Sequence, residues 1–178
     1  LVPSSLQDDP ARFADALGRD FAGTRIAWSR DLGGRPIEPI QTQVLDAQWH
    51  VFEDIGCIVE DAEPDLSESD SVFQVLRAYS FAHGQEKNLI EHRDLLKDTV
   101  IWNAEEGLAL SALDVAKAEE MRTELFGRMI AFFEKYDFLA LPVTSVPPFS
   151  VAIPYPTVVN GVEMETYIDW MWPCMDIT

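Results

Sequence analysis

Two β-favouring runs separated by one helix-length segment constrain this chain more than any other feature. Thr24–Ser29, TRIAWS, suits a pleated, half-buried surface and is closed by Asp31, Gly33 and Gly34, residues suited to turns and, for glycine, to positive φ. From Pro36 to Ile55 the apolar residues Ile40, Val44, Leu45, Val51, Phe52 and Ile55 recur at helical spacing. Pro39 fits the first turn of that helix, Glu38 complements the positive end of its dipole, and Gly56 follows as the C′ residue. The second run, CIVEDA from Cys57, comes straight after. Strand, helix and strand with short joins make a βαβ unit, whose strands are parallel and whose crossover is right-handed in nearly all cases.

A third strand follows later. Ser111 and Asp114 resemble a capping box with Asp in the Glu position, and the stripe Val115, Ala118, Met121, Leu125, Met129 and Phe133 predicts a long helix behind them. That helix runs into Tyr136 and Asp137, then Phe138–Leu141. Pro142, Pro147 and Pro148 lack N–H donors and stop the ladder, so the chain leaves the sheet where α/β proteins usually build their sites. Between the second and third strands, helices are expected over Ser69–Ala82, Gln85–Lys97 and Thr99–Leu108. Asn160-Gly161, set between Val159 and Val162, signals a two-residue hairpin turn. The expected fold class is α/β and three-layered. Its partial mixed or parallel sheet has strands near 24–30, 56–61 and 138–142, covered by helices, with a β-hairpin near 157–165. Residues 1–23 are expected to be a connecting arm, with a short amphipathic piece in which Phe13, Ala14 and Leu17 share a face. Residues 24–178 are expected to form one domain.

Charge narrows the partners. Asp and Glu outnumber Lys and Arg by 31 to 13, a formal charge of −18 that repels phosphate backbones and anionic lipid. Nucleic acid and membranes are therefore poor partners, and no apolar run approaches the ~20 residues of a membrane span. Cys57 and Cys174 form no disulfide framework, which makes a reducing cytoplasm the default location. Six acids between Glu60 and Asp70 suggest calcium, but an EF-hand loop needs Gly at its sixth position and Glu at its twelfth, and this run offers Pro64 instead. A solvated loop is the better reading.

Catalytic groups are harder to place. The chain has no Gly-x-Ser-x-Gly elbow, and Ser4-Ser5 lies in the arm without glycines to aim backbone N–H groups at an oxyanion. His50, His83 and His92 fall on separate helices or different faces, and Lys87, Lys97, Lys117 and Lys135 occupy polar helical positions. Gly33-Gly34 lacks the rest of a phosphate loop. No catalytic residue, metal ligand or cofactor is assigned.

The order of segments carries a resemblance. RIAWSRDLGG, FEDIGCIVEDAEPDL, the capped helix ending in FFEKYDFLALPVTSVPPF, the Asn-Gly hairpin and YIDWMWPCMDIT together resemble the later part of an amidase signature enzyme, from about Pro10 onward. The resemblance implies a portion of a large mixed sheet covered by helices. It also implies a parent enzyme that cleaves carboxylic amides through an acyl-enzyme, using a serine, a second serine with a cis peptide bond, and a lysine. The glycine- and serine-rich region that carries those groups in the family is not in this sequence, nor is the Gly-Leu-Pro-Ala-like run expected after Thr178. The absence of an initiating Met and the aromatic, unfinished end likewise suggest a C-terminal fragment of a longer amidase. By the same resemblance Pro142, Val143, Thr144, Tyr167, Asp169 and Trp170 lie near the acyl side of the substrate cavity, and the partner of the intact enzyme is a small-molecule amide. Amidotransferase A subunits carry Arg-Arg-Ile and Leu-Gly-Thr where this chain has NAEEGLALSALD, which favours a stand-alone amidase. The alternative from another class is a non-catalytic α/β interaction module, suggested by a 47% hydrophobic composition with five Trp. A fragment should also expose a sheet edge or an apolar face and self-associate.

Overall fold

The computed structural model describes residues 9–14 and 18–177. Ser4, Ser5 and Leu17 lie outside them. Three parallel strands form the centre: β1 (Arg25–Trp28), β2 (Ile58–Asp61) and β3 (Phe138–Ala140), in the order β2-β1-β3. Ile26 stands beside Val59 and Phe138, and Trp28 beside Asp61 and Ala140. Residues in register point to the same face of a sheet and alternate along each strand. Ala27 and Leu139 therefore face one covering layer, and Ile26 and Trp28 face the other. The sheet is the α/β arrangement expected from the sequence, with β1 and β3 ending two residues before the expected 30 and 142 and β2 ending at the expected 61.

The Trp28 side is covered by α1 (Pro39–Asp46) and α2 (Trp49–Asp54). The Trp28 ring, 1% exposed, packs against Trp49 and Phe52 with centroids 5.3 and 5.8 Å away. The sequence predicts one helix over residues 36–55, and the structure corrects this to two. Gln48 N–H donates to the Leu45 carbonyl (2.9 Å) and Val51 N–H to that of Gln48 (3.1 Å), three-residue bonds that tighten the turn at the join. A single 3₁₀ turn barely shifts the apolar period, so the pattern does not reveal it. α2 ends as expected at Gly56 (φ +91°), in a Schellman arrangement: Gly56 N–H donates to Glu53 and Cys57 N–H to Phe52.

On the other face lie α3 (Ser69–Glu91), α5 (Ala112–Phe133) and α6 (Trp172–Ile177), with α4 (Asp98–Ala109) packed along α3. Leu66, Val72, Leu125, Ile168, Trp172 and Met175 form the main core, and Leu139 and Leu141 pack against it. Helices expected over 69–82 and 85–97 merge into α3. Gly84 costs about 1 kcal/mol relative to Ala but does not stop a helix that packing supports. The break comes at His92, followed by a short 3₁₀ turn over Arg93–Leu95. α3 and α4 approach so closely that a Cβ on the buried Gly107 would collide with the Ala78 carbonyl. α5 opens with the expected capping box: Asp114 N–H donates to Ser111 Oγ (3.2 Å), and Ser111 N–H to Asp114 Oδ2 (2.9 Å). Of its predicted stripe, Ala118 and Leu125 are buried and Met121 and Met129 pack on the core, whereas Phe133 is exposed.

The hairpin pairs β4 (Val158–Val159) with β5 (Val162–Glu163) across Asn160 (φ +46°) and Gly161 (φ +79°), the two positive φ values of a type I′ turn. Within the expected arm, Pro10–Ala14 forms a 3₁₀ turn with Phe13 exposed rather than packed on an apolar face. Among the described residues no helix is long and apolar enough to cross a membrane.

Candidate functional site

The strand order places β1 between an earlier crossover to β2 and a later one to β3, so the chain changes direction between β1 and β3. Open α/β sheets form a crevice beyond the carboxyl ends of strands at such a point. At that point of this sheet stand the loop after β1 and residues 141–149 after β3.

Ser145 anchors the second loop. It is fully buried; its hydroxyl donates to the Trp170 carbonyl, and its own carbonyl accepts from Glu38 N–H at 2.8 Å. Gln41, on the first turn of α1, directs its side-chain amide at Thr144 Oγ1 (2.7 Å), the Thr144 carbonyl (3.2 Å) and the Val146 carbonyl (2.8 Å). Thr144 Oγ1 in turn donates to Val146 O at 2.6 Å. The hairpin joins the same assembly, because Asn160 N–H donates to Glu38 Oε1 at 2.7 Å. Both loop hydroxyls thus donate to main-chain carbonyls, an arrangement that fixes a wall and leaves neither poised as a nucleophile.

Of the residues singled out by resemblance, four gather at this loop. Pro142 is buried, Val143 is 79% exposed, Thr144 is half-buried, and Trp170 packs edge-on against Phe149 (5.4 Å, 88°) over Val146, Val159 and Met164. Asp169 is engaged locally, accepting from Thr166 N–H and Oγ1 at 2.7 Å each. Tyr167 points elsewhere, into the α3–α4 layer, where its hydroxyl meets Arg77 and Asn103 and its ring meets Trp102 at 6.1 Å. Trp172 is core, its indole N–H donating to the Pro36 carbonyl at 2.6 Å.

At the mouth of β1, Arg30 donates through Nε to Asp46 (2.9 Å) and through Nη1 to Asp61. These hydrogen bonds, Asp46 first, hold the guanidinium pKa above its ordinary value. His50, His83 and His92 are exposed and lie on different segments. Among the described residues no three His, Cys, Asp or Glu side chains converge in a way that could hold a metal. Gln41 and Ser145 are the positioning residues that sequence reasoning did not assign. Gln41 shares α1 with Thr42, Gln43 and Asp46, so nothing in the sequence sets it apart.

This architecture has known counterparts. It overlays an aryl acylamidase of the amidase signature family with a TM-score of 0.76 over 92% of this chain, at 20% identity. The chain is also 25% identical over 175 residues, 96% of its length, to an acylamidase of Rhodococcus erythropolis. It is similar in sequence to an acylamidase and in fold to an amidase signature enzyme. A second solved amidase gives a TM-score of 0.73 over 92% of the chain, again at 20% identity. No family model matches. The chain spans 36% of the length of the Rhodococcus acylamidase, and 36% and 38% of the two solved chains. Within this shared fold the Ser145–Trp170 assembly stands just beyond the carboxyl end of β3.

Proposed function

We propose that this chain supplies scaffold and one pocket wall to an enzyme that hydrolyses carboxylic amides. The observation that carries the reading is the fixed loop after β3, held at the carboxyl end of that strand by Ser145, Gln41 and Trp170, in a fold shared with an aryl acylamidase. In this reading Pro142, Val143, Thr144 and Trp170 border the acyl side of the substrate. The acyl-enzyme chemistry belongs to a serine, a cis-bonded serine and a lysine outside these residues: lysine takes the nucleophile's proton through the second serine, and backbone N–H groups hold the oxyanion.

The test has two arms. The 178-residue chain should not turn over an aryl amide such as a nitroanilide. The product of the full reading frame should, and Trp170→Ala in that product should raise KM more than it lowers kcat. Turnover by the chain alone, or a folded full-length product that cleaves no amide, overturns the reading.

A second reading concerns association. Ile40, Val44, Val51 and Ile55 leave an outward apolar row on and beside α1 and α2, each 44 to 56% exposed. The isolated chain is expected to self-associate through this row. Sedimentation velocity showing a monomer at all concentrations would rule that out.

A further inference from the structure

With thirty-one acids in the chain, cations find counter-ions readily. Arg25, Arg30, Arg35, Arg93, Arg122 and Arg128 each reach a carboxylate. Arg77, in the middle of α3, does not reach one among the described residues. Its Nη1 donates to Asn103 Oδ1 and its Nη2 to the Tyr167 hydroxyl at 2.6 Å. Asn103 Nδ2 donates to that same hydroxyl, also at 2.6 Å, so both of the oxygen's acceptor sites are filled. All these partners are neutral.

Aromatic rings complete the surroundings. The guanidinium carbon lies 4.5 Å from the centre of the Phe81 ring, 5.5 Å from Tyr167 and 6.0 Å from Phe73. Such rings attract a cation without neutralising it, and three of the five guanidinium N–H groups have no hydrogen-bond partner among the described residues. Arg77 also lines a groove of about 640 Å³ between α3 and α5, walled by Phe73, Leu76, Phe81, Leu125, Phe126 and Met129. That volume falls in the range of small-molecule sites. The other charges on the groove are matched: Asp176 by Arg35, and Arg122 by Glu119.

We infer that Arg77 anchors the carboxylate of a small apolar acid whose aryl or alkyl body fills this groove. The positive charge, the free donors and the apolar walls complement such a molecule, and a guanidinium fork suits a carboxylate better than any neutral group does. The inference stands apart from the amidase reading, because it concerns a different cavity and needs none of the relatives' chemistry.

Calorimetric titration of the full chain with hydrocinnamic acid, hydrocinnamide and hydrocinnamyl alcohol tests it. The acid should bind at least ~10-fold more tightly than the amide or alcohol, and added salt should weaken the acid alone. Arg77→Met should erase the preference while leaving weak binding of all three, and Arg77→Lys should retain part of it. Met129→Trp, which fills the groove, should weaken all three. Equal binding of acid and amide, a preference that survives Arg77→Met, or no saturable binding of the acid into the millimolar range overturns the inference. So does a dimer in sedimentation whose dissociation is the only effect of the acid, since the groove would then hold a second copy of the chain. If Arg77→Met does not fold by circular dichroism, the wild-type comparison and Arg77→Lys decide.

Discussion

Asp176 and Arg77 line the same groove and have opposite fates. Asp176, its side chain only 1% exposed, accepts from Arg35 through Nε (3.1 Å) and Nη2 (2.8 Å) and from Ser69 Oγ (2.6 Å). Eight residues along α3 from Ser69, about 12 Å at the helical rise, Arg77 holds its charge among rings and neutral acceptors. The contrast teaches how to separate a structural charge from an available one. Asp176 is buried and its counter-charge is internal, whereas Arg77 is half-buried, meets no carboxylate among the described residues, and has a cavity beside it.

The largest expected effect tests the closed side. Asp176→Ala leaves Arg35 without its carboxylate and should lower stability by ~3–5 kcal/mol in urea denaturation. A loss under about 1 kcal/mol would mean that the network is not holding α6 against α3. Ser145→Ala, which removes a fully buried hydroxyl and the donor to the Trp170 carbonyl, should cost ~1–3 kcal/mol without altering acid binding at Arg77. Arg77→Met should cost only about 1 kcal/mol, because it strands neutral acceptors and no counter-ion. A cost equal to that of Asp176→Ala would erase the distinction between the two charges.

The smallest effect belongs to a surface pair in which a carboxylate is satisfied without burial. The Ser111 hydroxyl and then its N–H, helped by Lys117, hold the Asp114 carboxyl below its ordinary range. A depressed folded value means that the cap contributes fully above the ordinary carboxylate range and fades as pH falls through the depressed value. An NMR titration of Asp114 should show its midpoint rise in Ser111→Ala.

The parts legible in the sequence are those set by local rules. The Asn160-Gly161 turn needs positive φ at both residues, Gly56 ends a helix, and the Ser111–Asp114 box spans three positions, so each can be read from a few neighbours. The three strands were legible because each is a short apolar run punctuated by Gly or Pro. The join at Gln48 and the continuity of α3 through Gly84 were not, since one hangs on a slight tightening of a turn and the other on packing that outweighs a weak propensity. Site residues were least legible. Ser145 acts through a carbonyl 25 positions away, the Tyr167 hydroxyl meets Arg77 and Asn103 in the α3–α4 layer, and Arg77 matters because no carboxylate among the described residues reaches it.

The close contact of α3 with α4 has a consequence for tuning. Gly107 lies one helical turn beyond Asn103, and Asn103 is the residue that holds both Arg77 and Tyr167. The bare Cα at position 107 therefore works as a spacer gauge: it sets the separation of two helices and, through that separation, how far Asn103 stands from the guanidinium. A single methyl group there would recalibrate the whole polar cluster without touching any of its members.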